Sequence, residues 1–307
     1  MKFKSYLSLV KFSHTIFAMP FALIGFFIGV RALDPNWAGP IPYSSMTEKL
    51  QWYFTSNYQI LFLVLLCMVF ARSAAMAFNR WLDAAYDAKN PRTAVREIPA
   101  GIIQPKNALM FVIINCLLFI ICTFFINRLC FFLSPVALFV ILFYSYTKRF
   151  TALCHVVLGV GLSLAPIGAF LAVNNGFQLL PILFSFAVLC WVSGFDIIYA
   201  LQDDQFDRSQ QLHSIPVKLG RSGALLLSRL LHFLAAALIV SAGVYGQMGL
   251  LYWGGAMVFS GLLLYQHRLV KVNDLSKVNL AFFTTNGIAS VVFAIFVIAD
   301  IFLTSTV

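Results

Sequence analysis

Charge is what this chain has least of. Asp, Glu, Lys and Arg make up 10% of its 307 residues, against about 25% in a soluble globular domain. With a mean hydropathy of +0.88, a water-soluble fold is excluded and an integral membrane protein is implied. Metal-ligating cysteine patterns are missing too. Cys67, Cys116, Cys122, Cys130, Cys154 and Cys190 form no C-x-x-C pair and sit in apolar runs. They imply no disulfide framework and read as buried, inert side chains. The five histidines show no ligand spacing, so none is expected to hold a metal. A net charge of +10 would suit a nucleic-acid binder. A positive excess on cytoplasmic loops explains it more simply, and no nucleic-acid partner is expected. Lys2, Lys4 and Lys11 precede an apolar run as in a signal peptide. No small-residue cleavage site follows, and the segment is expected to be retained.

What is abundant is apolar sequence. Nine segments long enough for spans of about 20 residues can be drawn: Phe12–Val30, Tyr58–Phe78, Ala108–Ile126, Phe131–Tyr146, Ala152–Val173, Leu179–Leu201, Ala224–Tyr245, Leu250–Tyr265 and Leu280–Leu303. They predict an all-α, polytopic membrane protein with residues 1–307 as a single domain. A short interfacial helix is expected near Thr47–Phe54, and Arg208–Gly223 reads as a loop. Gly161, Ala165, Gly168 and Ala172 look like a face for close helix packing. With the N-terminus inside, sixteen of the 21 basic residues fall on the cytoplasmic side. Only Arg31, Lys49 and Arg128 fall outside, while Arg72 and Arg229 lie within spans. The positive-inside rule therefore places the chain in the cytoplasmic (inner) membrane with its N-terminus in the cytosol.

The few acidic residues are not scattered. Asn79, Asp83 and Asp87 fall four apart, forming one polar stripe on a helix. Asp196, Asp203 and Asp207, spaced seven and four, form a second. With Asp204, these two places hold six of the 11 acidic residues, at helix ends on the cytosolic side. Two carboxylates about 4 Å apart repel by roughly 4 kcal/mol at an effective dielectric near 20, so the clusters need a compensating cation. Mg²⁺ bridging carboxylates to a phosphorylated ligand fits that need. The plainer alternative pairs Asp83 and Asp87 locally with Arg80, Lys89 or Arg92. In both stripes a loop ending in Ile-Pro follows, Ile98-Pro99 and Ile215-Pro216, an echo of internal duplication.

Asn79-x-x-x-Asp83-x-x-x-Asp87 together with Asp203-x-x-x-Asp207 resembles the paired aspartate motifs of the UbiA superfamily of intramembrane prenyltransferases. Tyr144-Ser145-Tyr146-Thr147-Lys148-Arg149-Phe150-Thr151, with Leu158-Gly159, is similar to that family's segment after the fourth helix. Asp196-Ile197-Ile198-Tyr199-Ala200 matches the approach to its second motif. The resemblance implies a helical bundle around a central cavity open to the cytosol. It also implies Mg²⁺ held by Asn79, Asp83, Asp87, Asp203 and Asp207, and transfer of an isoprenoid from its diphosphate. Ubiquinone-pathway members usually carry Asp after the motif Asn, where this chain has Arg80. That segment, with Asn90-Pro91-Arg92-Thr93, looks closer to a 4-hydroxybenzoate polyprenyltransferase-like branch that also includes menaquinone enzymes.

Arg72, two turns deeper than Asn79 on the same face, is a functional candidate because an unpaired intramembrane Arg is costly. It would contact the diphosphate or an acceptor carboxylate; pairing with a neighbouring helix is the structural alternative. The resemblance gives Tyr144 and Lys148 a substrate contact, whereas Arg149 reads as a membrane anchor. Asp196 would join the second metal site or orient the acceptor hydroxyl, with Tyr199 beside it. The expected partners are a polyprenyl diphosphate, an aromatic acid and the bilayer. 4-Hydroxybenzoate is the expected acceptor, and a naphthoate in menaquinone synthesis the alternative. A transporter, the competing class, would spread ionisable groups along the spans, where only Arg72, Arg229 and Asp300 qualify.

Overall fold

A computed structural model of the chain describes residues 2–10, 17–33 and 46–303. Apart from one isolated bridge between Lys271 and Asp274, its elements are all helical. In order they are α1 (Lys2–Leu9), α2 (Met19–Arg31), α3 (Met46–Leu82), α4 (Ala84–Asp87), α5 (Pro105–Ile126), α6 (Arg128–Thr147), α7 (Cys154–Asn174) and α8 (Leu179–Ala200). A 3₁₀ turn (Leu201–Asp203) leads to α9 (Asp204–Ser209), then α10 (Ile215–Tyr245) and α11 (Leu250–Leu269). A π-helical turn (Leu280–Thr285) opens the last helix, α12 (Asn286–Leu303).

Among the described residues, seven helices are long and apolar enough to cross a membrane. The expected count of nine differs at two places. Residues 12–16 of the first predicted span lie outside the described residues, and the remainder forms α2, an apolar helix of 13 residues. The predicted eighth span is α11, a 20-residue helix whose Gly254, Gly255, Gln266 and His267 dilute its hydropathy. The expected interfacial helix is present as the start of α3, which breaks at Asn57 (φ −135°, ψ 20°) before the span proper. Eleven of the sixteen residues in the predicted Arg208–Gly223 loop are helical instead. Ser214 caps α10 by accepting from the Val217 N–H, and Pro216 sits in its first turn. Gly220, at φ 70°, then bends the helix before it enters the membrane.

The interior is aromatic. Phe21, Phe184, Trp191, Tyr252, Phe259 and Phe293 are fully buried where α2, α8, α11 and α12 meet. Phe62, Phe124, Phe125, Phe132, Phe139 and Phe233 are exposed on the outer faces, as lipid contacts require. The intramembrane acid Asp300 accepts from the Gly249 N–H at 2.7 Å and the Tyr252 N–H at 3.2 Å. It therefore caps the start of α11 rather than marking an ion path, and Arg229 faces outward.

Helix approach is set by glycines other than those predicted. A Cβ on Gly25 would lie 2.0 Å from the Pro166 carbonyl oxygen, and one on Gly159 would lie 2.6 Å from that of Leu189. A Cβ at Gly161 would only make ordinary contact with Ile141 at 3.6 Å, and nothing lies within 4 Å of one at Gly168. The predicted packing face of Gly161, Ala165, Gly168 and Ala172 is instead the wall of a cavity. Small residues there widen a space rather than close a contact. Gly25→Ala is accordingly expected to lower the stability of the detergent-solubilised protein by about 1–3 kcal/mol. Gly168→Ala should leave the melting temperature unchanged, and thermal denaturation of the two variants checks the pair.

Candidate active site

The first stripe does not ride on an uninterrupted helix. Asp83 leaves helical geometry (φ −92°, ψ 7°) between α3 and α4, yet the Asp87 N–H still donates to the Asp83 carbonyl at 2.8 Å. Asp203 makes the same break (φ −108°, ψ 7°) between the 3₁₀ turn and α9. The duplication echo is thus carried by the backbone at the two aspartates. The Ile-Pro pairs do not share it, since Ile98-Pro99 lies in turns and Ile215-Pro216 begins a helix.

Both breaks face one cavity of about 600 Å³, walled mainly by α3, α5, α6, α7, α8 and the π-helical turn. All ten predicted site residues line it: Arg72, Asn79, Asp83, Asp87, Tyr144, Lys148, Asp196, Tyr199, Asp203 and Asp207. Asp204 does not line it; it is held by Arg221 at 2.7 and 3.0 Å. Away from the polar end the walls are apolar or small, with Val140, Leu158, Gly161, Ala165, Gly168 and Phe177.

Each motif carboxylate has a basic partner. Asp83 meets Arg149 at 3.2 Å and accepts from the Asn79 amide at 3.2 Å. Asp87 takes Arg96 on both oxygens at 2.8 Å. Asp203 accepts from Arg92 Nε at 3.0 Å and from the Asn90 amide at 3.3 Å, and Asp207 pairs with Lys148 at 2.7 Å. Arg92 also donates to the Tyr199 hydroxyl at 3.2 Å. The loop after the first stripe therefore reaches across to the second, and the local partners expected for Asp83 and Asp87 are not the ones used. Arg80 is buried and engaged by Glu97 at 2.6 Å.

Burial raises the Asp83 carboxyl to about 6, even though Arg149 pulls it down. Burial disfavours the charged form of Lys148, but the Asp207 carboxylate outweighs it and holds the ammonium above its ordinary value. Arg92 is raised likewise: burial opposes its charge and the hydrogen bond to Asp203 overcomes that. Deeper in the cavity, Arg72 has no hydrogen-bond partner for its buried Nε. The neighbouring-helix pairing considered for it is not made at that atom.

Arg92, Arg96, Arg149 and His155 also line the cavity, and the sequence reading gave none of them a role in it. Arg149, expected to be an anchor, lies over the Tyr146 ring at 4.9 Å as well as against Asp83. His155 binds Asp196 at 2.7 Å, 41 residues away in sequence, so no local spacing announces it. The positive charge of the loop was visible, but not which carboxylate each guanidinium would reach.

A match to the UbiA prenyltransferase family covers residues 49–288. The chain belongs to that family. This UbiA protein is therefore an integral-membrane prenyltransferase. It is 31% identical over 238 residues to a 4-hydroxybenzoate octaprenyltransferase of Nitrosomonas europaea, covering 76% of this chain and 80% of the relative. A 4-hydroxybenzoate octaprenyltransferase of Francisella tularensis subsp. mediasiatica is 29% identical over 231 residues, 75% of this chain and 81% of the relative. Among solved structures, the apo UbiA homolog from Aeropyrum pernix K1 superposes with a TM-score of 0.79 at 27% identity, covering 94% of this chain and 98% of that one. A UbiA homolog from Archaeoglobus fulgidus bound to DMAPP and Mg²⁺ has the same fold, with a TM-score of 0.68 at 20% identity, 97% of this chain and 99% of that one.

The donor set suits a hard ion. Among the described residues no three His, Cys, Asp or Glu side chains stand together to hold a metal unaided. Oxygen donors instead come in separate groups along one cavity. Mg²⁺ takes one or two carboxylates and completes its shell with water and substrate phosphate oxygens, so the residues fit it. The Lys148–Asp207 pair is also structural, because the Asp207 side chain is 0% exposed. Lys148→Ala is expected to destabilise the protein by about 3 kcal/mol, leaving a buried charge unpaired. Adding Asp207→Asn should recover most of that loss; melting of the single and double variants decides it.

Proposed function

We propose that this UbiA protein transfers a polyprenyl chain from its diphosphate to a hydroxyaromatic acid, 4-hydroxybenzoate first among candidates. One observation carries the reading: two oxygen-rich stripes and the basic side chains of Arg92, Arg96, Lys148 and Arg149 line the same end of a cavity whose deeper walls are mostly apolar. That is the division a substrate with a charged head and a hydrocarbon tail requires. The names of the curated relatives support the acceptor, and the ligands of the Archaeoglobus fulgidus homolog support the donor and the ion. Asn79, Asp83, Asp87, Asp203 and Asp207 would hold Mg²⁺, which neutralises the charge that builds on the departing diphosphate. Arg92, Arg96, Lys148 and Arg149 counter the carboxylates in this structure and stand ready to turn to phosphate oxygens.

The allylic carbon–oxygen bond breaks with its electron pair leaving on the diphosphate. The ring carbon ortho to the phenol then attacks the allylic cation, and the departed diphosphate takes up the proton that the ring carbon releases. Asp196 accepts a hydrogen bond from the acceptor's hydroxyl, and the phenol oxygen in turn pushes electron density into the ring. Tyr144 and Tyr199 line the space between donor and acceptor. Arg72, with an unused buried N–H, takes the acceptor's carboxylate. Apolar walls keep water from quenching the cation. The positive-inside distribution of basic residues supports a cytosolic opening for this end of the cavity and a location in the cytoplasmic membrane.

Membranes carrying the chain, supplied with a polyprenyl diphosphate and either 4-hydroxybenzoate or a hydroxynaphthoate, should yield the prenylated acid by mass spectrometry. Asp83→Ala and Asp203→Ala should abolish the product without loss of inserted protein. Chelation should do the same and Mg²⁺ restore it; full activity without a divalent ion would refute the metal role. Arg72→Ala should raise KM for the aromatic acid roughly 10- to 150-fold, the scale of a charge-assisted contact of about 1.5–3 kcal/mol. KM for the diphosphate should barely move, and Arg72→Lys should rescue poorly because an ammonium cannot grip a carboxylate with two parallel bonds. Equal loss on both substrates would reassign Arg72 to the diphosphate.

A further inference from the structure

His155 is not among the residues assigned above to the diphosphate, yet it is 4% exposed and lies against the cavity. Its Nδ1 is 2.7 Å from Asp196 Oδ2, and its Nε2 is 3.3 Å from the backbone nitrogen of Ile215. A backbone N–H can only donate, so Nε2 carries the lone pair and the ring proton resides on Nδ1. The Ile215 N–H belongs to the first turn of α10, where backbone donors have no partner within the helix. The start of α10 thereby fixes the tautomer of a histidine on α7, which in turn donates to a carboxylate on α8.

We propose that His155 is a positioning residue for the acceptor, acting through Asp196. By donating to Oδ2 it fixes the plane of the carboxylate, whose side chain is 22% exposed. Oδ1 is left as the oxygen that receives the acceptor's hydroxyl. His155 does not relay that proton, because its second nitrogen is already occupied by the Ile215 N–H. It holds Asp196 in one orientation while the proton stays between acceptor and carboxylate. This rests on the reading that the cavity takes a hydroxyaromatic acceptor.

The test uses the full chain in detergent with Mg²⁺, geranyl diphosphate and 4-hydroxybenzoate or a hydroxynaphthoate. His155→Ala is expected to lower kcat roughly ten- to hundredfold, the scale of one hydrogen bond to a charged group. KM for geranyl diphosphate should stay within about twofold. His155→Asn places an amide N–H near the position of Nδ1 but cannot reach the Ile215 N–H as the ring does. Recovery of kcat in His155→Asn would therefore isolate the orientation of Asp196 from any bracing of α10. Native kcat in His155→Ala would overturn the inference, as would a loss that parallels a fall in melting temperature and is not restored by Asn. Should the unsubstituted protein prenylate neither acceptor, the reading of the reaction falls, and this inference with it. An active parent beside an indifferent His155→Ala overturns the inference alone.

Discussion

Five carboxylates share one largely apolar cavity, and their mutual repulsion is the constraint on which the rest of the arrangement depends. At an effective dielectric near 20, two such charges about 4 Å apart cost roughly 4 kcal/mol. The protein answers with one basic group per motif carboxylate, drawn from elements far apart in sequence: Arg149 for Asp83, Arg96 for Asp87, Arg92 for Asp203 and Lys148 for Asp207. These contacts tie the loop after α4 to the second stripe and the end of α6 to both. The same side chains that balance the acids are those an anionic head group would attract, so in the proposed reaction binding and structural support would draw on one set of residues.

The spans and the acidic stripes were legible in the sequence because both are periodic. A run of apolar residues and a four-residue spacing need no knowledge of the fold. All ten residues expected at the site do meet in one cavity. What was not legible depends on tertiary context. Nothing in Gly161 or Gly168 says whether the missing side chain lets a helix approach or leaves room beside it; the answer lies in what stands opposite. His155 was set aside because a metal was the only role considered, whereas its partner is a carboxylate 41 residues away. The loop expected over Arg208–Gly223 hid the start of α10, since a capping Ser and a Pro after a polar stretch read equally well as a turn.

The duplicated geometry at Asp83 and Asp203 bears on how two distant stripes come to work together. Each aspartate sits where a membrane helix ends and a short helix begins, with nearly equal backbone angles. Repeating the break gives two carboxylate groups related orientations at the same end of the bundle. The neighbours then differ: Arg80 engages Glu97 beside the first stripe, and His155 engages Asp196 beside the second. The two halves thus share a backbone break but differ in what stands beside it.

The wall of α7 carries one more consequence. From Gly161 to Ala172 the helix rises about 16 Å, and along this stretch the cavity is bounded by aliphatic side chains such as Leu164 and Ile167 and by the small Gly161, Ala165, Gly168 and Ala172. Such a surface attracts every added methylene equally, by about 0.8 kcal/mol, and so cannot tell one unit of a hydrocarbon from the next. An isoprenoid tail laid along this wall, as the proposed reaction would have it, is limited in length only by where the space stops. A ruler of that kind is recalibrated by enlarging a single small residue, with no change to the chemistry at its other end.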